Sequence, residues 1–178
     1  MPNPQIKFLT RLDAKLFTTM TSTTSKIKIY TDGASRGNPG RGGYGAILTY
    51  GKVKKEISQG YRLTTNNRME LMAVIAALEA LKKENLNLTI YSDSNYVVKA
   101  IMEGWLNKWI RTNFKGNIKN QDLWMRYFVL SKKHSIHVHW VKGHADNIMN
   151  NRCDELATQA ADGNNLLIDE GYEEANPT

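Results

Sequence analysis

The sequence predicts a mixed α/β domain in which helices cover a sheet. Segments with the alternating apolar pattern of strands precede and follow segments with the apolar spacing of helices. Their order along the chain is strand, hairpin, helix, strand, helices, strand and helix, which is typical of a mixed sheet with helices packed on it. A chain of 178 residues has room for one such domain and not comfortably for two.

The first part of the domain is predicted to be a set of strands. Three segments are candidates: residues 26–31, 44–50 and 53–61. In the first of them Ile27 and Ile29 alternate with polar residues, so both face the same side. The glycine-rich stretch 33–43 predicts a turn region, and residues 51–52 predict a hairpin between the second and third strands.

The rest of the domain is predicted to alternate between helices and strands. Residues 66–84 predict a long helix, with an apolar stripe formed by Leu71, Val74, Ile75, Leu78 and Leu81. Five more elements follow it: a strand at 88–92, helices at 95–102 and 122–132, a strand at 136–141 and a last helix at 151–161.

The two ends of the chain differ from the domain, which we place at residues 26–162. We expect residues 163–178, which are acidic, to form a peripheral C-terminal tail. Residues 1–25 form an N-terminal extension with apolar residues at helical spacing and a tract rich in Thr and Ser. A targeting peptide is one interpretation. Because Asp13 interrupts the pattern and Arg is scarce, a flexible extension or a start of translation at Met20 is the simpler one.

Composition excludes some classes of protein. No apolar run approaches the roughly 18 residues that a membrane span needs, so we expect no contact with a membrane. The single cysteine, Cys153, excludes an intramolecular disulfide and fits a reducing compartment, so we expect a cytoplasmic protein, and a monomer. The net charge of +7 and the pI of about 9.4 favour a polyanionic partner, although charge alone is weak evidence.

Four acidic residues stand at the ends of predicted elements: Asp32, Glu70, Asp93 and Asp154. If the strands that end at Asp32 and Asp93 are neighbours, both carboxylates meet at one edge of the sheet. Converging carboxylates repel one another, divalent cations relieve the repulsion, and a set of oxygen ligands selects Mg²⁺ or Mn²⁺ over zinc. Each acid alone is better explained as a cap, a turn residue or a surface charge. Only the set predicts a metal site.

These acids fall within four segments that resemble the motifs of type 1 ribonuclease H in order and spacing. The segments are TDGASRGNPGRGGYGA (31–46), TTNNRMEL (64–71), YSDSNYV (91–97) and WVKGHADNIMNNRCDELA (140–157). The resemblance extends over residues 26–161, nearly all of the predicted domain. It implies a five-stranded mixed sheet with helices on both faces, in agreement with the order of elements above.

The resemblance also implies an activity and its residues. Asp32, Glu70, Asp93 and Asp154 are then the metal-binding carboxylates, and His144 is the mobile catalytic histidine of the loop before the last helix. The implied reaction is hydrolysis of the RNA strand of an RNA–DNA hybrid with two Mg²⁺ ions, or Mn²⁺, leaving 5′-phosphate and 3′-hydroxyl ends. A lone loop histidine is otherwise an exposed bystander, and its place in the matching motif reverses that interpretation.

Substrate contacts are expected in two places. The resemblance implies that Asn38, Asn66, Asn67 and the Asn95 position contact the hybrid, and Thr65 stands beside them. Amides and hydroxyls suit 2′-hydroxyls and base edges in a wide minor groove. Asn95 occupies a position where we expect Gln. Helix capping for Asn66 and turn formation for Asn38 are the alternative roles.

The second place is a segment where aromatic and basic residues alternate. It contains Trp105, Lys108, Trp109, Arg111, Phe114, Lys115 and Lys119. It resembles the basic protrusion with which family members hold the DNA strand, and exposed cations would neutralise phosphates. The alternative is an amphipathic helix whose tryptophans belong to the core.

Two other functions compete with this one. A nuclease of the wider superfamily that cuts DNA or transfers strands would share the carboxylates, but the asparagines near Glu70 favour a substrate with 2′-hydroxyls. A binding module without catalysis is disfavoured because all four carboxylates and His144 are present.

Overall fold

The computed structural model describes residues 26–143 and 147–177. A mixed sheet forms its centre, with strand order β5-β4-β1-β2-β3-β6. The strands are β1 (Ile27–Gly37), β2 (Gly40–Tyr50), β3 (Val53–Thr64), β4 (Asn87–Ser92), β5 (Ser135–Trp140) and β6 (Leu166–Leu167). β2 is antiparallel to β1 and β3, whereas β4 is parallel to β1 and β5 is parallel to β4. The predicted fold class is therefore confirmed, and the predictions for residues 1–25 lie outside the described residues.

Six helices accompany the sheet in the described part of the chain. They are α1 (Asn66–Glu79), α2 (Asn95–Met102), α3 (Trp105–Arg111), α4 (Gln121–Ser131), α5 (Ile148–Asp162) and α6 (Glu170–Ala175). None of these helices has the length and apolar character that crossing a bilayer requires. The predicted bounds of α2 are correct and those of α4 differ by one residue, whereas α5 begins three residues earlier than predicted.

Helices cover both faces of the sheet, as predicted. Successive residues of a strand point to opposite faces, and β2 shows this directly. Ala46 and Leu48 belong to the main core beneath α1, whereas Ile47 packs with Cys153 and Leu156 of α5 on the other face. The two faces therefore carry separate apolar clusters, and the helices that bear predicted carboxylates are fixed by these clusters.

The glycine-rich stretch corrects the sequence-based prediction. Residues 33–43 were expected to form a turn region, but the turn is confined to residues 38–39, because β1 runs to Gly37 and β2 begins at Gly40. Two glycines explain why the strands continue into this stretch: a Cβ at Gly33 would overlap the backbone of α1, and one at Gly43 would overlap the backbone of α5. They permit close packing between helix and strand rather than chain reversal.

Helix α1 is shorter than predicted. It was expected to reach residue 84, but it ends at Glu79 with Ala80 as its C-cap. The next hydrogen bond spans three residues rather than four: the Leu81 N–H donates to the Leu78 carbonyl at 3.2 Å. Asn85 then takes a left-handed conformation at φ 59. Leu81 still packs against the core, so its apolar spacing continues past the point where the helix ends.

The C-terminal segment is a second correction. We expected a peripheral tail after residue 162, but Leu166 and Leu167 form a sixth strand parallel to β3, opposite Gly60 and Tyr61. Asp169, just beyond it, is only 7% exposed. Acidic composition gave no sign of this, because the segment is held by strand pairing and by individual ion pairs rather than by apolar burial.

Candidate active site

Asp32 and Asp93 meet at the end of the parallel pair β1 and β4. The parallel pairing ends with Thr31 of β1 opposite Ser92 of β4. Asp32 and Asp93 are the residues that follow these two. β1 itself continues beyond Asp32 and pairs with β2, which corrects the expectation that Asp32 ends the strand. The Trp140 indole N–H donates to the Asp93 carbonyl at 3.1 Å and anchors the chain there.

Glu70 completes a group of three carboxylates. One oxygen from each of Asp32, Glu70 and Asp93 lies within 4.8 Å of the other two. Helix α1 brings Glu70 to the strand ends because its backbone lies directly on Gly33, where no Cβ would fit. The group is thus formed by the closest approach of helix to sheet, in agreement with the predicted convergence of these three residues.

Burial makes this group electrostatically unfavourable without a cation. The pKa of Asp32 is raised to about 8, mainly by burial and then by the charges of Asp93 and Asp154, although the hydrogen bond from the Gly33 N–H at 2.8 Å opposes the rise. Burial also raises the pKa of Glu70 well above its usual range, followed by the charges of Asp32 and Asp93. Like charges in a partly dry site resist ionisation together.

The donor set fits a divalent cation. Glu70 is 6% exposed, and its Oε2 has no hydrogen-bond partner among the described residues. Such an oxygen costs free energy unless it has a partner, and a cation is the partner that would also relieve the repulsion among the three acids. A set of three carboxylates suits Mg²⁺ or Mn²⁺.

Asp154 stands apart from the other three acids. It was expected in the first turn of the last helix, but α5 begins at Ile148 and places it in the second turn. Its side chain does not join the group of three oxygens, yet its charge contributes to the raised pKa of Asp32. Asp154 is half-buried on α5, the helix on the opposite side of the sheet from α1.

His144 lies outside the described residues. The residue before His144 does lie at the site. Gly143 packs against the Asp93 carboxylate so closely that a Cβ there would overlap Oδ2. After the gap, Asn147 caps α5 by accepting from the Asn150 N–H at 3.1 Å.

The predicted amide residues cluster beside the carboxylates. Thr65 caps α1 by accepting from the Arg68 N–H at 3.4 Å, and the Asn66 N–H donates to Oδ1 of Asn38 at 3.2 Å. The turn role of Asn38 thus occurs together with proximity to α1, whereas the capping role considered for Asn66 belongs to Thr65. Asn67 is exposed on α1, and Asn95 is exposed at the start of α2, two residues after Asp93.

A groove of about 630 Å³ opens beside these amides. Asn38, Thr65 and Asn67 line one part of it. Sequence analysis missed most of the remainder, which includes Asn117, Ile118, Asn120, Tyr172 and Asn176. Asn120 and its neighbours carry no distinctive pattern, and Tyr172 belongs to the segment that we expected to be peripheral, so no local signal could have identified them.

The basic segment, residues 105–119, divides into buried aromatics and exposed cations. Its four cations, Lys108, Arg111, Lys115 and Lys119, are all exposed. Phe114 is buried in the core. Trp109 is half-buried and packs edge-on against Trp124 at 5.6 Å between centroids, whereas Trp105 is 39% exposed. The core interpretation therefore applies to Phe114 and Trp109, and the binding role of the exposed cations stays a prediction.

Comparisons with known proteins agree with this geometry. The family model described as RNase H matches residues 24–162. A curated ribonuclease H from Chlorobium luteolum is 55% identical over 139 residues, covering 76% of this chain and 94% of that protein. The crystal structure of LC9-RNase H1, a type 1 RNase H with the type 2 active-site motif, matches with TM-score 0.73 and 29% identity, over 88% of this chain and 83% of that one. LC11-RNase H1, solved in complex with RNA/DNA hybrid, matches with TM-score 0.60 and 26% identity, over 77% and 97%.

Proposed function

The chain belongs to the RNase H family of ribonucleases, which cleave RNA in RNA–DNA hybrids, and from this we propose a specific reaction and mechanism. The protein hydrolyses the RNA strand of a hybrid with two Mg²⁺ ions, for which Mn²⁺ can substitute. It leaves 5′-phosphate and 3′-hydroxyl ends. We also propose that it acts as a cytoplasmic monomer, supported by a single cysteine that is buried.

One observation carries the proposal: three carboxylates from β1, α1 and the end of β4 offer oxygens within 4.8 Å of one another. Asp32, Glu70 and Asp93 would hold the cations, with Asp154 completing the set from α5. When bound, two divalent cations supply an activated water as nucleophile and offset the negative charge on the leaving oxygen. The unpartnered Glu70 Oε2 supports this assignment.

The residues of the chain then have distinct tasks. Asp32 and Glu70, buried where α1 packs on β1, keep the ligand oxygens in a site with little water, where charge acts strongly. Burial, and then the neighbouring acids, hold both pKa values high, so binding of the cations would release protons. His144 is assigned an auxiliary role in proton transfer or product release, for which an ordinary imidazole pKa near 6.5 is suitable.

Hybrid recognition is assigned to two surfaces. The groove beside Asn38, Thr65 and Asn67 presents amides and a hydroxyl that suit the 2′-hydroxyls and base edges of the RNA strand. We assign Asn66 and Asn95 to the same strand because they lie beside Glu70 and Asp93 in the sequence.

The DNA strand is assigned to the basic segment. Its exposed cations Lys108, Arg111 and Lys115 can neutralise phosphates, with Trp105 exposed among them. Trp109 stabilises this surface because its ring packs against Trp124. LC11-RNase H1, which this chain resembles, was solved with an RNA/DNA hybrid, and this supports the substrate assignment.

Analysis of the product ends tests the proposed chemistry. Because an external water attacks phosphorus, the 2′-hydroxyl is not the nucleophile and the RNA fragments should carry 5′-phosphate and 3′-hydroxyl ends. Mass spectrometry of a digested hybrid distinguishes these from 2′,3′-cyclic phosphates, which would contradict the mechanism.

Substrates with fewer ribonucleotides test the groove assignment. Because several 2′-hydroxyls must meet the amides at once, a DNA strand with a run of embedded ribonucleotides should be cut, and one with a single ribonucleotide should be cut poorly. Equal cleavage of both would contradict 2′-hydroxyl readout by the groove.

A further inference from the structure

A buried arginine lies directly under the groove. Arg68, in the first turn of α1, is 2% exposed. Its Nε and Nη2 donate to the two oxygens of Asp169, each at 2.7 Å. Its Nη1 and Nη2 donate to the oxygens of Asp122 at 2.9 and 2.7 Å. One guanidinium thus joins the helix that bears Glu70 to the start of α4 and to the C-terminal segment.

Asp169 also fixes the chain that enters α1. Its Oδ2 accepts from the Thr64 hydroxyl at 2.6 Å, and Thr64 directly precedes the N-cap of α1. The C-terminal segment passes so close that a Cβ at Gly171 would overlap Oδ2 of Asp122. Burial alone would lower the pKa of Arg68, but the hydrogen bonds to Asp122 and Asp169 outweigh it and keep the pKa above its ordinary value. The arginine is therefore charged, and its position depends on both carboxylates.

The same network continues to the opposite wall of the groove. Nη1 of Arg68 also donates to Oδ1 of Asn120 at 3.3 Å. The Asn120 amide donates to the Tyr96 hydroxyl at 3.0 Å, and Tyr96 adjoins Asn95 at the start of α2. A single hydrogen-bonded network therefore connects the start of α1, the start of α2 and the residues before α4. These three segments carry the side chains proposed to contact the hybrid.

We propose that Asp169 is a positioning residue for hybrid binding. Acting through Arg68, it holds the amide-bearing start of α1 against residues 117–122, so that the two walls of the groove keep the separation the hybrid needs. Asp169, which lies beyond the residues that match the family model, then supports the substrate interface through Arg68. This inference rests on the function proposed above.

The expected effect is on binding rather than on chemistry. Glu70 is followed on α1 by a run of buried residues, Leu71 to Leu78, so the core fixes its position independently of Asp169. Thr65, Asn66 and Asn67 precede this run and are not buried. Loosening the start of α1 therefore weakens contacts made equally in ground and transition states, which raises KM and leaves kcat unchanged.

Asp169→Asn tests the proposal, with Glu173→Gln as its matched control. Glu173 lies on the same segment and forms the same kind of ion pair, at 2.6 Å to the exposed Arg62 of β3, but it does not touch α1. Steady-state cleavage of a hybrid is measured for each variant well below its own midpoint of thermal unfolding. Asp169→Asn should raise KM about tenfold, as expected for displaced contacts, with kcat within about twofold. Glu173→Gln should leave both unchanged.

An unchanged KM for Asp169→Asn, or an equal rise in KM for both variants, would overturn the proposal. If Asp169→Asn does not fold, Asp122→Asn removes the other carboxylate on Arg68, at a position whose side chain is 44% exposed, and should raise KM in the same way. Failure of the wild-type protein to cut the hybrid would count against the proposed function alone. Fluorescence anisotropy with the same hybrid then decides the positioning role: a dissociation constant about tenfold higher for Asp169→Asn supports it, and equal constants reject it.

Discussion

Asp32, Glu70 and Asp93 stand on or directly beside elements of the core, β1, α1 and β4, whereas the cations of residues 105–119 stand on a seven-residue helix and the turns after it. Around the acids, helix α1 lies so close to the sheet that Gly33 admits no side chain. In the basic segment, by contrast, Asn113 and Phe114 both adopt left-handed conformations, at φ 49 and 53, and all four cations are exposed.

This difference assigns the two regions to different steps. Bringing like charges together costs free energy, so it requires a rigid frame, and the core on both sides of the sheet supplies one. Neutralising the phosphates of a flexible duplex requires charge rather than fixed geometry. Changes among the acids should therefore alter turnover, and changes in the basic segment should alter binding.

The largest effect is expected at the acids. Asp32→Asn, Glu70→Gln and Asp93→Asn should each lower kcat by about 10³-fold or more, because each removes charge on which the cations depend. Asp154→Asn should lose less, since Asp154 stands outside the group of three. Single-turnover cleavage of a hybrid at saturating enzyme measures this.

Glu155→Gln is the matched control for the acids, because it is an exposed acid on the same helix as Asp154, paired with Arg152 at 2.8 Å. It should retain full turnover. A loss from Asp93→Asn no greater than that from Glu155→Gln would remove the acids from the mechanism.

A smaller effect is expected from the basic segment. Replacing Lys108, Arg111, Lys115 and Lys119 with Gln should raise KM with kcat little changed. Each lost phosphate contact should reduce the slope of log K against log salt by about 0.9. The control neutralises four exposed lysines on other parts of the chain, Lys28, Lys52, Lys83 and Lys132, for an equal change in net charge. Equal slopes for the two quadruple variants would show that residues 105–119 have no special role.

The smallest effect is a dependence of stability on pH. The folded protein holds the pKa of Asp32 at about 8, above its ordinary value of 3.8. The folded state therefore binds more protons between these values, and the resulting stabilisation, complete below about pH 4, is lost as pH rises through about 8. Asp32→Asn should remove this loss. The free energy of unfolding of the variant should therefore exceed that of the wild type by an amount that grows at about 1.4 kcal/mol per pH unit, to a few kcal/mol.

Urea unfolding in EDTA at pH 5 and pH 8 measures this dependence. Addition of Mg²⁺ at pH 8 should stabilise the wild type more than the variant. Parallel pH profiles for the wild type and Asp32→Asn would contradict the raised pKa.

The rigid region was also the easier one to predict. Apolar spacing identified α1, and strand order brought Asp32 and Asp93 to neighbouring positions, because buried elements leave periodic patterns in the sequence. Gly33 and Gly43 were misinterpreted as turn residues for a physical reason. Close packing of a helix on a strand and reversal of the chain both require glycine, and only the tertiary structure distinguishes the two.

The groove was harder to predict because it is assembled from distant segments. Asn120, Tyr172 and Asn176 line it together with Asn38 and Asn67, although more than a hundred positions separate some of them. No periodic pattern of apolar residues surrounds Asp169 in the sequence, because its burial depends on a single ion pair with Arg68. Such contacts depend on single side chains, which periodicity does not report.

The most direct test of the central claim compares three duplexes of one sequence. The protein is incubated with an RNA–DNA hybrid, duplex RNA and duplex DNA, each with Mg²⁺ and with excess EDTA, and both strands are followed on denaturing gels. We expect cleavage of the RNA strand of the hybrid with Mg²⁺, and intact strands in the other five reactions. Cleavage in EDTA would contradict the role of the carboxylates, and equal cleavage of duplex DNA would contradict recognition of the RNA strand.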